Sequence, residues 1–176
     1  MKILVCGLPG SGKTWLSERL VKYIDNCAWY NADVLRKYSN DWDFTLEGRS
    51  RQAKRMKTFA EFESKNGRLV ICDFVAPTQK VRDDFDPDFI IWLDTIKEGR
   101  VVESKLNDLK KIKNLPFDAN SLYKSKAFED TNKIFETPKK VNKHIKNFLQ
   151  DEEIKKIAKE IQNNVWLEKT NSTNAW

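Results

Sequence analysis

Residues 7–14 read Gly7-Leu8-Pro9-Gly10-Ser11-Gly12-Lys13-Thr14. Glycines at this spacing let backbone N–H groups turn inward and approach an anion closely. A helix that follows them points its positive end at the same place. Lys13 then supplies a charge for the β- and γ-oxygens of a nucleoside triphosphate, and the Thr14 hydroxyl is the expected magnesium ligand. The eight residues satisfy the P-loop pattern in full. They predict binding of ATP with Mg2+, with Gly7, Pro9, Gly10, Ser11, Gly12, Lys13 and Thr14 around the phosphates. The pattern implies a nucleotide and its phosphates, and leaves the phosphate acceptor open.

A second constellation follows at Asn31-Ala32-Asp33-Val34-Leu35-Arg36. A carboxylate three residues before an arginine is useful beside a phosphate loop. Asp33 could take the proton of an acceptor hydroxyl or hold a magnesium water, and Arg36 could hold an acceptor anion. The plainer alternative is the start of a helix, with Asp33 as its cap.

The elements around these residues alternate between strand and helix, which predicts an α/β fold with a parallel sheet covered by helices. Ile3–Cys6 reads as a buried strand running straight into the phosphate loop. A helix is expected from Lys13 to Ile24, with Trp15, Leu16, Leu20 and Ile24 on one face, and a short strand over Trp29–Asn31. The segment from Asn31 to Asp43 is polar. A long helix is expected over Leu46–Lys65, stopped by Asn66-Gly67. Leu69–Phe74 reads as a buried strand, Pro77 as the opening of another helix, and Phe89–Asp94 as the clearest strand. A charged helical pattern covers Ile96–Ile112, and residues 114–138 mix Pro, Asn, Ser, Lys and Phe in the manner of a mobile lid. Ile154–Val165 closes the chain as an amphipathic helix. Residues 1–165 are thus expected to form a single P-loop domain, and 166–176 a polar, frayed tail.

The 176 residues suffice for one well-buried core, and 40% hydrophobic with 33% charged residues is a soluble globular profile. No apolar run reaches the length of a membrane span, and the first strand is too short for a signal peptide, so a cytoplasmic protein with no membrane partner is expected. Cys6, Cys27 and Cys72 lack metal spacing, and Cys6 and Cys72 read as reduced core thiols; His144 alone cannot make a zinc site. A net charge of +6 suits polyanionic substrates, and it also suits nucleic acid.

Beyond the phosphate loop, the chain resembles the adenylylsulfate kinase (APS kinase) family. That family reads Asp-Gly-Asp-Asn-Val-Arg where this chain has Asn31–Arg36, so Asp33 and Arg36 are kept. Phe44 and Arg49 match the next motifs, and Gln52 stands for an asparagine. The family's Ser-Phe-Ile-Ser-Pro is similar to Asp73-Phe74-Val75-Ala76-Pro77, with its following arginine at Arg82. Its strand-end Val-Asp looks like Leu93-Asp94. Its lid is similar to Ser121-Leu122-Tyr123-Lys124, Lys126-Ala127-Phe128 and Phe135-Glu136-Thr137-Pro138. The resemblance covers residues 1 to about 140 in order. It implies transfer of the γ-phosphate of ATP to the ribose 3′-hydroxyl of adenylyl sulfate, and a homodimer as one assembly. Lys13 and Asp33 would be the catalytic residues. The acceptor's adenine would lie between Phe44 and Phe128, and Arg36, Arg49 and Lys124 would hold its phosphosulfate, with Gln52 and Phe74 alongside.

The departures bear on the acceptor. Asn31-Ala32 replaces Asp-Gly, and Asp73 replaces a serine, which brings a negative charge toward an anionic substrate. The stretch from Asp94 to Leu122 is longer than the family's, and the lid between Tyr123 and Phe128 is shorter. The second reading is therefore a kinase for the 5′-hydroxyl of a polynucleotide or for a hydroxymethylated base in DNA, which shares the loop and which the net charge favours. A third is a nucleotide-binding module without transfer activity, against which Lys13, Thr14 and Asp33 all argue.

Overall fold

The computed structural model describes residues 1–97 and 131–173. Five strands form one parallel sheet: β1 (Lys2–Gly7), β2 (Cys27–Asn31), β3 (Leu69–Asp73), β4 (Phe89–Leu93) and β5 (Lys143–Ile145), in the order β2-β3-β1-β4-β5. The helices between them are α1 (Lys13–Tyr23), α2 (Ala32–Tyr38), α3 (Leu46–Lys65), α4 (Gln79–Phe85), α5 (Thr131–Ile134) and α6 (Asp151–Thr173). Strands buried on both faces read as continuous apolar runs, which is why β1 and β3 are legible without alternation; β4 is also a continuous apolar run, although Ile90 and Trp92 are only half-buried.

The pleat sends alternate residues to opposite faces and divides the core in two. Ile3, Val5, Ile71 and Ile91 pack with Leu16 and Leu20 of α1 and with Ile154, Ile157 and Ile161 of α6. Leu4, Cys6, Val70 and Cys72 pack on the other side with Leu35 of α2, Met56 and Ala60 of α3, and Phe85 of α4. All three cysteines are free thiols, with Cys6 and Cys72 buried. Among the described residues no helix is long and apolar enough to cross a membrane.

Four elements differ from the sequence reading. The polar segment after β2 is helical: Asn31 Oδ1 accepts from the Val34 N–H at 2.9 Å, so the cap of α2 is Asn31, and Asp33 sits in its first turn. Pro77 does not open α4; Thr78 caps it by accepting from the Val81 N–H at 3.2 Å, and the helix begins at Gln79. The last helix starts at Asp151 and runs to Thr173, so most of the expected polar tail is helical. Its first turn carries Asp151, Glu152 and Glu153 at the positive end of the dipole, and neither Gly nor Pro interrupts it. Strand β5, Lys-His-Ile, was not anticipated because three residues carry too little pattern. The charged segment 98–112 lies outside the described residues.

Candidate active site

The phosphate loop joins the end of β1 to α1 at the carboxyl edge of the sheet, where ligands of open parallel sheets bind. Gly7 has φ +149°, and a Cβ there would stand 2.4 Å from the Leu93 carbonyl oxygen, so no other residue fits. Gly12 precedes α1 at φ +95°, in the left-handed region. The Ser11 N–H donates to the Leu8 carbonyl at 3.1 Å, and the Thr95 hydroxyl donates to the Ser11 carbonyl at 2.7 Å. The segment after β4 thereby fastens the loop. Lys13 Nζ donates to the carbonyls of Gly7 at 3.0 Å and Leu8 at 2.8 Å, which holds the ammonium against the loop it serves.

Beside the loop stands a polar cluster built from three strands. Asp73, which ends β3, lies opposite Asn31 of β2 and Val5 of β1. Its Oδ2 accepts from the Thr14 hydroxyl and from Asn31 Nδ2, each at 2.9 Å, and its Oδ1 accepts from Trp29 Nε1 at 2.9 Å. Burial pushes the Asp73 carboxyl up to about 6, while these three hydrogen bonds pull the other way. In the sequence Asp73 stood out only as a departure. Its proximity to Thr14 depends on strand register across 59 residues, which no local pattern encodes.

A cavity of about 460 Å³ opens in front of both groups, and it brings the two sequence constellations together. Pro9, Gly10, Gly12, Lys13 and Thr14 line one side. Asp33, Arg36, Phe44, Arg49 and Gln52 line the other, with Asp73 and Phe74 at its base. Gly7 and Ser11 are not in the lining; Ser11 is fully buried behind the loop.

The acceptor-side residues are also structural. Arg36 is buried, and its Nη1 donates to the carbonyls of Asp41 and Asp43, both at 2.9 Å. Burial lowers its pKa to about 10, which leaves it charged at neutral pH. Gln52 Nε2 donates to the Ala32 carbonyl at 3.0 Å, and Arg55 donates to its Oε1, so Gln52 ties α3 to the start of α2. Arg49 donates from Nε to the Phe44 carbonyl at 2.9 Å and from Nη2 to the Thr131 hydroxyl at 3.0 Å. It thus links the acceptor side to α5. Gly48, beside it, packs so closely that a Cβ would meet the Asp43 backbone at 2.4 Å.

Phe74 is mostly buried and meets Phe85 edge-on at 5.4 Å, so it shares the core with the cavity wall. Arg82 is buried and donates to the carbonyls of Ala76 at 2.7 Å and Glu136 at 2.9 Å. The Glu136 carboxylate accepts from the Gln79 N–H at 2.6 Å. Residues 135–138 are therefore pinned to the mouth of α4. Lys124 and Phe128 lie outside the described residues.

Three comparisons bear on this arrangement. The protein-family model described as adenylylsulphate kinase matches residues 1–88, half of the chain. The chain belongs to the adenylylsulphate kinase family. A probable adenylyl-sulfate kinase of Aeropyrum pernix is 36% identical over 89 residues, 46% of this chain and 46% of that relative. The chain spans about half the length of the curated relatives it matches. Among solved structures, the protein APE1195 superposes with a TM-score of 0.72 at 22% identity, over 94% of this chain and 96% of that one. The Mycobacterium tuberculosis APS kinase, in complex with AMPPNP and APS, does so with a TM-score of 0.58 at 20% identity, over 92% and 95%. The fold is that of the P-loop kinases.

Proposed function

We propose that this protein transfers the γ-phosphate of ATP to the ribose 3′-hydroxyl of adenylyl sulfate. The observation that carries the reading is the cavity lined both by the phosphate loop and by Asp33, Arg36, Phe44 and Arg49. Phosphoryl transfer asks the protein mainly for positioning and for charge neutralisation, and this cavity holds groups for both.

The loop N–H groups and the positive end of α1 receive the phosphates, and Lys13 moves its ammonium from the loop carbonyls onto them. The Thr14 hydroxyl would hold Mg2+, which would supply positive charge against that of the transferring group. Asp33 projects from the first turn of α2, a helix fixed by its Asn31 cap, and takes the proton of the attacking hydroxyl. Arg36 and Arg49 set a positive field at the acceptor end, and Phe44 offers a ring for its base. Lys124 and Phe128 would complete the site from the lid. Family membership supports the acceptor named here; the cavity supports a small-molecule acceptor over a polymer.

The deciding experiment offers γ-labelled ATP with Mg2+ to adenylyl sulfate, to a 5′-hydroxyl oligonucleotide and to hydroxymethylated DNA. Label is expected on adenylyl sulfate alone. Asp33→Asn keeps the shape but cannot accept the proton, so it slows transfer by about 10²–10⁴-fold with little change in ATP binding. Label on either DNA and none on adenylyl sulfate would overturn the acceptor and leave the kinase fold intact.

A further inference from the structure

We propose that His144 is a positioning residue for the phosphate loop, acting through Asp94 and Thr95 on the peptide that joins Ser11 to Gly12. The inference rests on the reading of the loop as the site of the nucleotide's phosphates.

The link runs outward from the loop. The Thr95 hydroxyl donates to the Ser11 carbonyl at 2.7 Å. In a trans peptide the C=O and the following N–H point in opposite directions. A Ser11 carbonyl drawn toward Thr95 therefore turns the Gly12 N–H the other way. Ser11 is buried behind the loop and Gly12 lines the cavity, so that N–H is turned to the cavity side. Backbone N–H groups fixed in this way are what the loop offers an anion.

Thr95 follows Asp94, and β5 holds Asp94 at two points. The Asp94 N–H donates to the Ile145 carbonyl at 2.7 Å, and Asp94 Oδ2 meets His144 Nε2 at 3.1 Å. A carboxylate only accepts, so the imidazole carries a proton on Nε2. The imidazole is itself fixed. His144 stands opposite Trp92 in the register of β4 and β5, and the two rings stack with centroids 4.0 Å apart and planes 10° apart. The His144 and Asp94 side chains are 30% and 23% exposed, so water competes for their bond less than it does at an open surface pair.

β5 has need of such a link. It is three residues long, it lies at the edge of the sheet, and it is in register with Ile91, Trp92 and Leu93 of β4. So short a strand makes few ladder hydrogen bonds. The loop nevertheless leans on the same two elements. A Cβ on Gly7 would stand 2.4 Å from the Leu93 carbonyl oxygen, and one on Gly12 would stand 3.3 Å from Cε1 of Phe148, just beyond β5. A slip of β5 against β4 would thus reach the loop. His144, the chain's one histidine, is outside the cavity lining, and its effect on the nucleotide passes through Asp94 and Thr95.

The test is a double-mutant cycle, read as the dissociation constant of a non-hydrolysable ATP analogue with Mg2+ beside thermal melts. His144→Phe keeps a flat ring over Trp92 and removes the donor to Asp94. It should raise the constant about 3- to 10-fold, the worth of one hydrogen bond. Thr95→Val should raise it by a similar factor. The double variant should be within about twofold of the weaker-binding single variant, because both changes break one path; independent effects would multiply to about 10- to 100-fold. His144→Gln offers an amide N–H in place of Nε2–H and should stay within about twofold of native. The proposal is overturned by native affinity in His144→Phe, by multiplying effects in the double variant, or by a His144→Gln as weak as His144→Phe. If His144→Phe does not fold, Asp94→Ala breaks the same path from its other end and enters the cycle under the same limits. A native protein that binds no analogue removes the nucleotide reading of the loop, and this inference with it; native binding with an unaffected His144→Phe removes only the inference.

Discussion

The guanidinium of Arg36 lies over the ring of Phe44, 4.5 Å from its centroid. The same guanidinium donates to the Asp41 and Asp43 carbonyls, so one buried cation organises the turn between α2 and α3 and sets the ring that faces the cavity. Arg36→Met should therefore lower stability by about 1–3 kcal/mol, the cost of leaving two partly buried carbonyls without their charged donor. Arg36→Lys should recover less than half of that, because a point charge cannot span both carbonyls and stack. Urea unfolding checks both variants. A loss below about 0.5 kcal/mol in Arg36→Met would mean that the turn is held by other contacts.

Lys13 is half-buried, and its Nζ donates to the Gly7 and Leu8 carbonyls of the loop. Lys13→Ala should stay within about 1 kcal/mol of native stability, yet lose transfer by at least about a hundredfold, since one preorganised charge at the transferring group has gone. Single-turnover kinetics beside a thermal melt separates the two effects. Near-native turnover would remove the phosphate-loop assignment.

Asp41 carries a prediction about pH. Arg51 donates to both of its oxygens, each at 2.8 Å, and Arg55 donates to Oδ2 at 2.9 Å. These bonds, the Arg51 pair foremost, hold the carboxyl well below its ordinary range. A depressed native pKa contributes stability that is fully present above the unfolded value of about 4 and is lost as pH falls through the folded one. Asp41→Asn should thus be about 1–3 kcal/mol less stable than native at pH 7, and the gap should narrow steadily below about pH 4. Urea midpoints at pH 7, 5, 4 and 3 test this; a gap that stays constant to pH 3 would assign the loss to packing.

Local residue types carried much of this site into view. The phosphate loop is legible because its glycines are needed at fixed offsets, and Gly7 and Gly12 do adopt φ values that other residues avoid. The long helix α3 matches its expected range because Thr45 and Asn66-Gly67 mark its ends. Asp73 was opaque for a different reason. It meets Thr14 and Asn31 only through the parallel register of β1, β2 and β3, and register is set by the whole sheet. Arg36 and Gln52 were legible as residue types but not as anchors, since the carbonyls they bind are brought to them by the tertiary fold, from the turn after α2 for Arg36 and from the start of α2 for Gln52.

Phe44 is where the acceptor side can be separated from the framework. It is half-buried, it lines the cavity, and Arg36 stacks on it. As a base platform it contributes about 1–3 kcal/mol to acceptor binding, so Phe44→Ala should raise the acceptor KM by about 5- to 150-fold and leave the KM for ATP within about twofold. As mere cover for Arg36, it would change stability and leave both constants alone. Phe44→Leu distinguishes the cases, because it refills the space over the guanidinium but offers no flat π-face. Stability should then return to within about 1 kcal/mol of native while the acceptor KM stays raised. Recovery of both in Phe44→Leu would make Phe44 a packing residue and shift the base platform to another part of the site.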